Sequence, residues 1–175
     1  KVYNSFTFVT YKKPGDTIVA IGAINGELGG SEYLKQCCGK VEGPIPGVDL
    51  TLESSLHKIC LRLISDGVIN SAHDISDGGL VAAIAEMTFK NNIGCSVSVK
   101  SSMSPEKVFF SETGGFILEI SPNNIKDVKS KLETSGVNAF EIGTTGGENI
   151  SINQLINLPV SIAKNAWKNG LRNKI

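Results

Sequence analysis

Apolar positions recur with two periods along this chain, and together they predict alternating helices and strands. Residues 49–67, DLTLESSLHKICLRLISDG, hold the clearest helix. Leu52, Leu56, Ile59, Cys60, Leu63 and Ile64 follow helical spacing, and Gly67 stops it. Residues 31–39 read as a short helix with Ser31 as N-cap and Gly39 as its end. GLVAAIAEMTFK, residues 79–90, is a helix of small apolar residues suited to close packing on a sheet. Residues 121–136 are amphipathic, with Ile125, Val128 and Leu132 on one face. A last helix covers residues 158–170, with Pro159 in its first turn and Gly170 behind it.

Between these helices lie β-branched and aromatic runs at residues 2–10, 17–24, 68–74 and 94–99, all predicted as strands. Residues 100–107 read as a loop. VFFSE (108–112) and FILEI (116–120) flank Gly114–Gly115, which places Ser111 and Glu112 at a strand end. Residues 138–145 and 148–152 are expected to pair as a hairpin across Gly146–Gly147. The alternation predicts an α/β (α+β) fold, a mixed sheet covered by helices, in one domain over residues 1–175.

Composition narrows the picture. Of 175 residues, 41% are hydrophobic and 19% charged, which suits a folded domain with a single core. Seventeen basic residues balance seventeen acidic ones, so charge offers no case for nucleic acid or an anionic membrane as partner. No run approaches the roughly 18 apolar residues of a membrane helix. Cys37, Cys38, Cys60 and Cys95 lack zinc-site spacing and read as free buried thiols of a cytoplasmic protein. The first residue is Lys, which suggests a processed chain or a piece of a longer one.

Three stretches carry possible chemistry. In SAHDISDGG, residues 71–79, a strand, a polar turn and two glycines open a helix. Free amides at a helix start receive phosphate oxygens, and glycines let them approach. Carboxylates beside such a site make sense with Mg²⁺ between, so Asp74 and Asp77 are candidate metal ligands and Gly78 and Gly79 candidate phosphate contacts. The bland readings are Asp77 as a helix cap, Asp74 as a turn brace and His73 as a satisfied strand-end residue. The second stretch, NGELGGSEY, also leads from a strand into a helix and offers Gly29, Gly30 and Ser31. It lacks the ending of a P-loop. The third, FFSETGGF, offers Ser111 and Glu112 before a tight turn. No residue stands out as catalytic.

The motifs ELGGSEYLK, PGVDLTLESSL, SAHDISDGGLVAAIAEMTF, FSET and a terminal AW helix, in this order, resemble one family. The chain looks like the C-terminal half of the second aminoimidazole-ribonucleotide-synthetase-like repeat in the phosphoribosylformylglycinamidine synthase large subunit. The resemblance runs from about residue 7 onward. It implies an aminoimidazole ribonucleotide synthetase C-terminal-domain-like fold with ferredoxin-like features. It also implies an ATP-dependent ligase of purine synthesis that makes formylglycinamidine ribonucleotide from formylglycinamide ribonucleotide and glutamine-derived ammonia. Implied cofactors are Mg²⁺ and ATP or ADP. Implied partners are the N-terminal halves of the same subunit, a glutaminase subunit and a small bridging subunit.

By the same resemblance Asp74 lies beside an auxiliary Mg²⁺–nucleotide, and residues 111–113 match a substrate-binding stretch of the first repeat. Gly115 and Phe116 stand where an Arg commonly follows, so a phosphate-binding cation is missing there. The family's catalytic histidines match neither His57 nor His73. Two other readings stand beside this one. One is a related synthetase or kinase such as thiamine-monophosphate kinase. The other is a structural, pseudo-active nucleotide-binding module that docks partners.

Overall fold

The computed structural model describes residues 7–170. Seven strands form one sheet: β1 (Thr17–Ile21), β2 (Ser71–Asp74), β3 (Cys95–Val97), β4 (Phe116–Ile120), β5 (Ala139–Thr145), β6 (Asn149–Ile152) and β7 (Ile156–Pro159). Their spatial order is β2-β4-β1-β5-β3-β6-β7. All neighbours are antiparallel except β3 and β6, which run parallel. The helices are α1 (Glu32–Cys38), α2 (Leu50–Ser65), α3 (Gly79–Phe89), α4 (Pro105–Phe109), α5 (Ile125–Thr134) and α6 (Val160–Asn169).

Side chains of a strand alternate between faces, so a central strand must be apolar throughout when both faces are covered. β1 meets that demand. Ile18 and Ala20 join a core with α3, α4 and α6, while Val19 and Ile21 join a second core with α2 and α5. The units β1-α2-β2 and β4-α5-β5 interleave as β2-β4-β1-β5, which is the ferredoxin-like arrangement. α3, β3 and α4 are inserted between its second and third strands, and β6, β7 and α6 extend it.

The long helices and β2 form where periodicity places them. α2 is capped by Asp49, which accepts from the amides of Thr51 and Leu52 at 2.9 and 3.0 Å. α1 has Ser31 as N-cap and Gly39, at φ +66°, as its left-handed end. Several expectations need correction. Residues 138–145 and 148–152 do not pair, because β3 lies between them. The Gly146–Gly147 turn bonds Gly94 in place of closing a hairpin: Gly146 donates to Gly94 at 2.7 Å and Gly94 to Gly147 at 2.9 Å. Alternation marks strands but does not choose their neighbours. Residues 105–109 are helical, since Pro105 follows Ser104 in the favoured first-turn position, so Ser111 and Glu112 follow a helix and not a strand. Leu158 and Pro159 pair with β6 in β7, which delays α6 to Val160. Strand β1 ends at Ile21, and Gly22 turns at φ +112°.

Of the first predicted strand, residues 2–6 lie outside the described residues, and Phe8 makes a single bridge to Ser71. Cys60 and Cys95 are buried free thiols, pushed by that burial to about 11 and about 12. Cys37 and Cys38 are exposed, against expectation, because α1 buries none of its residues.

The segment leading into β1 is anchored by a buried carboxylate. Glu119 on β4 is fully buried. Its Oε1 accepts from the amides of Lys12 and Lys13 at 2.8 and 3.1 Å, and its Oε2 from the Ser71 hydroxyl at 2.7 Å. Asn70 donates to Asp16 Oδ2 at 2.6 Å beside it. Burial raises the Glu119 pKa, while the Lys13 amide, the Ser71 hydroxyl and the Lys12 amide pull it back down. Folded Glu119 therefore keeps its proton at a pH where the unfolded chain has lost it, and stability drains away as pH rises through that window.

The chain is expected to melt in one cooperative transition. Glu119→Ala strands three donors and should cost about 3 kcal/mol, a fall of about 6–12 °C in melting temperature. Glu119→Gln keeps the shape and does not titrate. Wild type should lose stability relative to Glu119→Gln as pH rises above the ordinary range of a Glu carboxyl, measured by thermal melts. A pH-independent difference would overturn the assignment.

Candidate functional site

All three glycine-bearing stretches meet at the start of α3. β2 ends at Asp74, and the turn behind it is tied down where Ile75 donates to the Gly115 carbonyl at 2.9 Å. Gly78 and Gly79 then turn with φ +79° and +69° into α3. A Cβ on Gly79 would lie 2.8 Å from the Phe109 carbonyl oxygen and the Phe110 backbone, so only glycine lets α3 begin against the end of α4. Gly29 likewise lies against the Pro44 carbonyl, where a Cβ has no room.

α3 has no cap from its own sequence neighbours, so Asp77 is not its cap. That role falls to Glu112, 34 residues away in sequence. Its Oε1 accepts from Gly78 at 2.7 Å and from the Glu32 amide, at the start of α1, at 2.9 Å. One carboxylate oxygen thus joins two helix starts, where negative charge is stabilised by the free amides and the helix dipoles. Tyr33 of α1 stacks on Phe110 at 4.6 Å between ring centres and locks the same junction from the side.

The remaining site residues sort as follows. Asp74 and Asp77 are exposed, the Asp74 side chain at 62%. Ser31 is buried; it donates to the Leu28 carbonyl at 2.7 Å and caps Leu34 at 3.4 Å. Ser111 is buried, with its hydroxyl 3.1 Å from that of Thr113, which donates to the Ala23 carbonyl at 3.2 Å. His73 Nδ1 lies 2.7 Å from the Asp74 carbonyl oxygen and Nε2 3.1 Å from Glu86 Oε2, so both ring nitrogens are engaged. The amides of the glycine turns are engaged as well. Gly30 donates to the Glu42 carbonyl, Ser31 to Leu28, Gly78 to Glu112 and Gly79 to Ser76.

The fit to Mg²⁺ and a nucleotide is therefore split. Two exposed carboxylates on one turn suit a hydrated Mg²⁺, which takes one or two protein carboxylates beside phosphate oxygens and water. No group of three metal-ligating side chains occurs among the described residues. The turn amides, however, accept no phosphate while Glu112 and the neighbouring carbonyls hold them.

Sequence reading missed two features. The double contact of Glu112 joins residues that no local spacing relates. Glu27 Oε2 is buried in the glycine loop with no hydrogen-bond partner among the described residues, and a Glu before Leu-Gly-Gly carries no signal for that.

The chain and its fold match known proteins. The family model for AIR synthase related protein, C-terminal domain, matches residues 13–153. The chain belongs to this family. The AIR synthase related domain is 35% identical over 167 residues to the phosphoribosylformylglycinamidine synthase subunit PurL of a Thermoanaerobacter species, covering 93% of the chain and 23% of that relative. It thus spans about a quarter of the curated relatives it matches. Among solved structures it resembles Thermotoga maritima PurL complexed with FGAR, with a TM-score of 0.76 at 19% identity, over 91% of this chain and 29% of that one. The same protein complexed with ATP, and in the PurLQS structure, gives 0.72 and 0.71. Thiamine-monophosphate kinase from Stenotrophomonas maltophilia is more distant, at 0.55 and 15% identity over 86% of this chain and 54% of that one. These structural likenesses show a shared fold.

If Glu112 joins the two helix starts, Glu112→Ala should lower stability by about 1–3 kcal/mol, while Glu112→Gln, which keeps an acceptor oxygen, should cost less than half as much. Thermal melts measure this, and hydrogen exchange at the amides of Gly78 and Glu32 should accelerate together in the Ala variant. Independent behaviour of the two amides would refute the shared contact.

Proposed function

We propose that this domain is the C-terminal quarter of a phosphoribosylformylglycinamidine synthase subunit. The whole subunit converts formylglycinamide ribonucleotide to formylglycinamidine ribonucleotide with ATP and glutamine-derived ammonia, in the cytoplasm. The observation that carries this reading is the 35% identity to a PurL subunit along 93% of the chain. The ATP and FGAR complexes of a protein with the same fold support it, and its PurLQS structure supports partner subunits, which in this reading are a glutaminase and a small bridging subunit.

Within that enzyme the domain supplies a wall of a nucleotide site and no catalytic group. Both nitrogens of His73 are occupied, and Asp74 and Asp77 face outward from the turn before α3. Asp74 and Asp77 would hold the Mg²⁺ of a bound nucleotide, with the turns at Gly29, Gly30, Ser31, Gly78 and Gly79, and Ser111 and Glu112 behind them, fixing where those carboxylates stand. Bound there, the ion neutralises phosphate charge. Glu112 keeps the two glycine turns in register.

An adjoining surface fits the remainder of the subunit. Val41, Ile45, Val48 and Leu50 are 69–91% exposed within ten residues. Pro44 and Pro46 stiffen this strap, and Gly30 fastens it to the glycine loop by donating to Glu42 at 3.1 Å. So dense an apolar display marks a contact surface, and here it borders the glycine loop at Gly29 and Gly30. The N-terminal halves of the subunit are its proposed occupants.

Two measurements test the reading. The isolated chain should show no amidine formation with ATP, ammonia and formylglycinamide ribonucleotide, and turnover above background would overturn the assignment of catalysis to the other halves. In the full-length subunit, Asp74→Asn should lower retained ADP and melting temperature together, because a ligand bound only by the folded state stabilises it. Unchanged nucleotide content and unchanged melting would reduce Asp74 to a turn brace.

A further inference from the structure

A second cleft lies at the far end of α3, roughly 15 Å along the helix from the glycine turns. It holds about 380 Å³ between the end of α3, the face of α6 and the backbone around Val9. Its wall is aromatic. Phe89 is buried, and the Trp167 indole packs on it at 5.5 Å between ring centres while remaining 60% exposed. Val9, also 60% exposed, continues the wall. An indole held by a buried ring and open on its outer side is a ready stacking surface.

Three lysines stand on the rim. Lys90 follows α3, and Lys164 and Lys168 stand one turn apart on α6, flanking Trp167. Among the described residues none of the three has a carboxylate partner: Lys164 donates to the neutral Asn92 side chain at 2.7 Å, and Lys90 lies 5.7 Å from the Phe8 ring. The carboxylate that lines the cleft, Glu86, is bonded to His73 at 3.1 Å. Three lysines therefore line an aromatic wall, and the carboxylate that shares the lining, Glu86, is engaged by His73. Elsewhere Lys35, Lys40, Lys129 and Lys131 are paired with carboxylates, while Lys58, Lys100, Lys107 and Lys126 form no ion pair among the described residues.

We propose that this cleft binds an aromatic phosphomonoester, its planar ring stacked on Trp167 and its dianionic phosphate received by Lys90 and Lys168. Lysines act on phosphate as compact, adjustable point charges, and stacking on an indole accepts any planar ring. The volume is at the lower end of the range for small-ligand pockets, which suits a monophosphate of one or two fused rings. His73, the neighbour of Asp74, also lines this cleft, but Asp74, Asp77, Glu112 and the turn glycines do not, and the proposal does not depend on the function proposed for them.

Trp167 is the chain's single tryptophan, so its emission reports this cleft alone. Titrating the 175-residue chain with AMP should quench that emission saturably. Adenosine, which lacks the phosphate, and inorganic phosphate, which lacks the ring, should each bind at least tenfold more weakly. The double variant Lys90→Gln/Lys168→Gln should weaken AMP binding at least tenfold with melting unchanged. Trp167→Leu, followed by equilibrium dialysis, should lose binding as well and covers the case in which the lysine variant fails to fold. Linear, non-saturating quenching by AMP would overturn the proposal. So would equal affinity for adenosine, or full AMP binding by either folded variant.

Discussion

One carboxylate oxygen, Glu112 Oε1, accepts from the first amides of two different helices. Much of the functional face depends on that contact. α1 buries none of its residues, so it is held by its ends and by the Tyr33–Phe110 stack rather than by a core. α3, by contrast, is deeply buried along Leu80, Ala83, Ile84 and Met87. Glu112 transmits the position of the rigid helix to the weakly held one. Glycine makes the contact reachable: Gly79 lies flat on the end of α4, and the Gly114–Gly115 turn brings residue 112 back toward β1. A helix start with a protein carboxylate on it is electrostatically satisfied. The carboxylates of Asp74 and Asp77 stay exposed on the same turn, with His73 Nδ1 3.5 Å from Asp74 Oδ1.

Where one physical signal suffices, the sequence was legible. α2 is long, periodic and capped, and each of those facts is local. The same holds for Ser31 and Gly39 around α1 and for the apolar strip Ile125, Val128 and Leu132, of which Val128 and Leu132 are buried outright. Elements that depend on distant partners were not legible. The Gly146–Gly147 dipeptide has the composition of a hairpin turn, yet Gly94 and Gly143 let β3 press its backbone between β5 and β6. VFFSE has strand composition, but Pro105 sets a helical first turn and the core accepts Val108 and Phe109 from that helix. At the site, spacing pointed to the three glycine turns, and they do meet. Which acceptor would take their amides was not legible, because Glu112 lies far from both helix starts in sequence.

The sheet itself explains why the domain tolerates such an arrangement. Its ferredoxin-like part places α2 and α5 together on one face and leaves the other for inserted elements. α3 and α4 occupy that second face beneath the N-terminal segment, whose path is held by the buried Glu119. Burial of an ionisable group that takes two amides and a hydroxyl is costly to disrupt, since each donor would be left without a partner. The segment is thereby kept close, and Tyr11 is buried completely with its amide donating to the Met87 carbonyl at 2.8 Å. The back of α3 is fixed by β1's approach as firmly as its front is fixed by Glu112.

Net charge hides the last consequence of this arrangement. Seventeen basic and seventeen acidic residues cancel over the chain, and by that sum it has no call on anions. Along α3 the charges separate. Asp77 and Glu112 stand at its start, while Lys90, Lys164 and Lys168 gather past its end. That order complements the helix dipole at both ends, so neither cluster is strained by the helix it adjoins. A ligand senses charges within about 10 Å at physiological salt, not the sum over the molecule. A neutral chain can therefore present two carboxylates at one end of a buried helix and three lysines at the other.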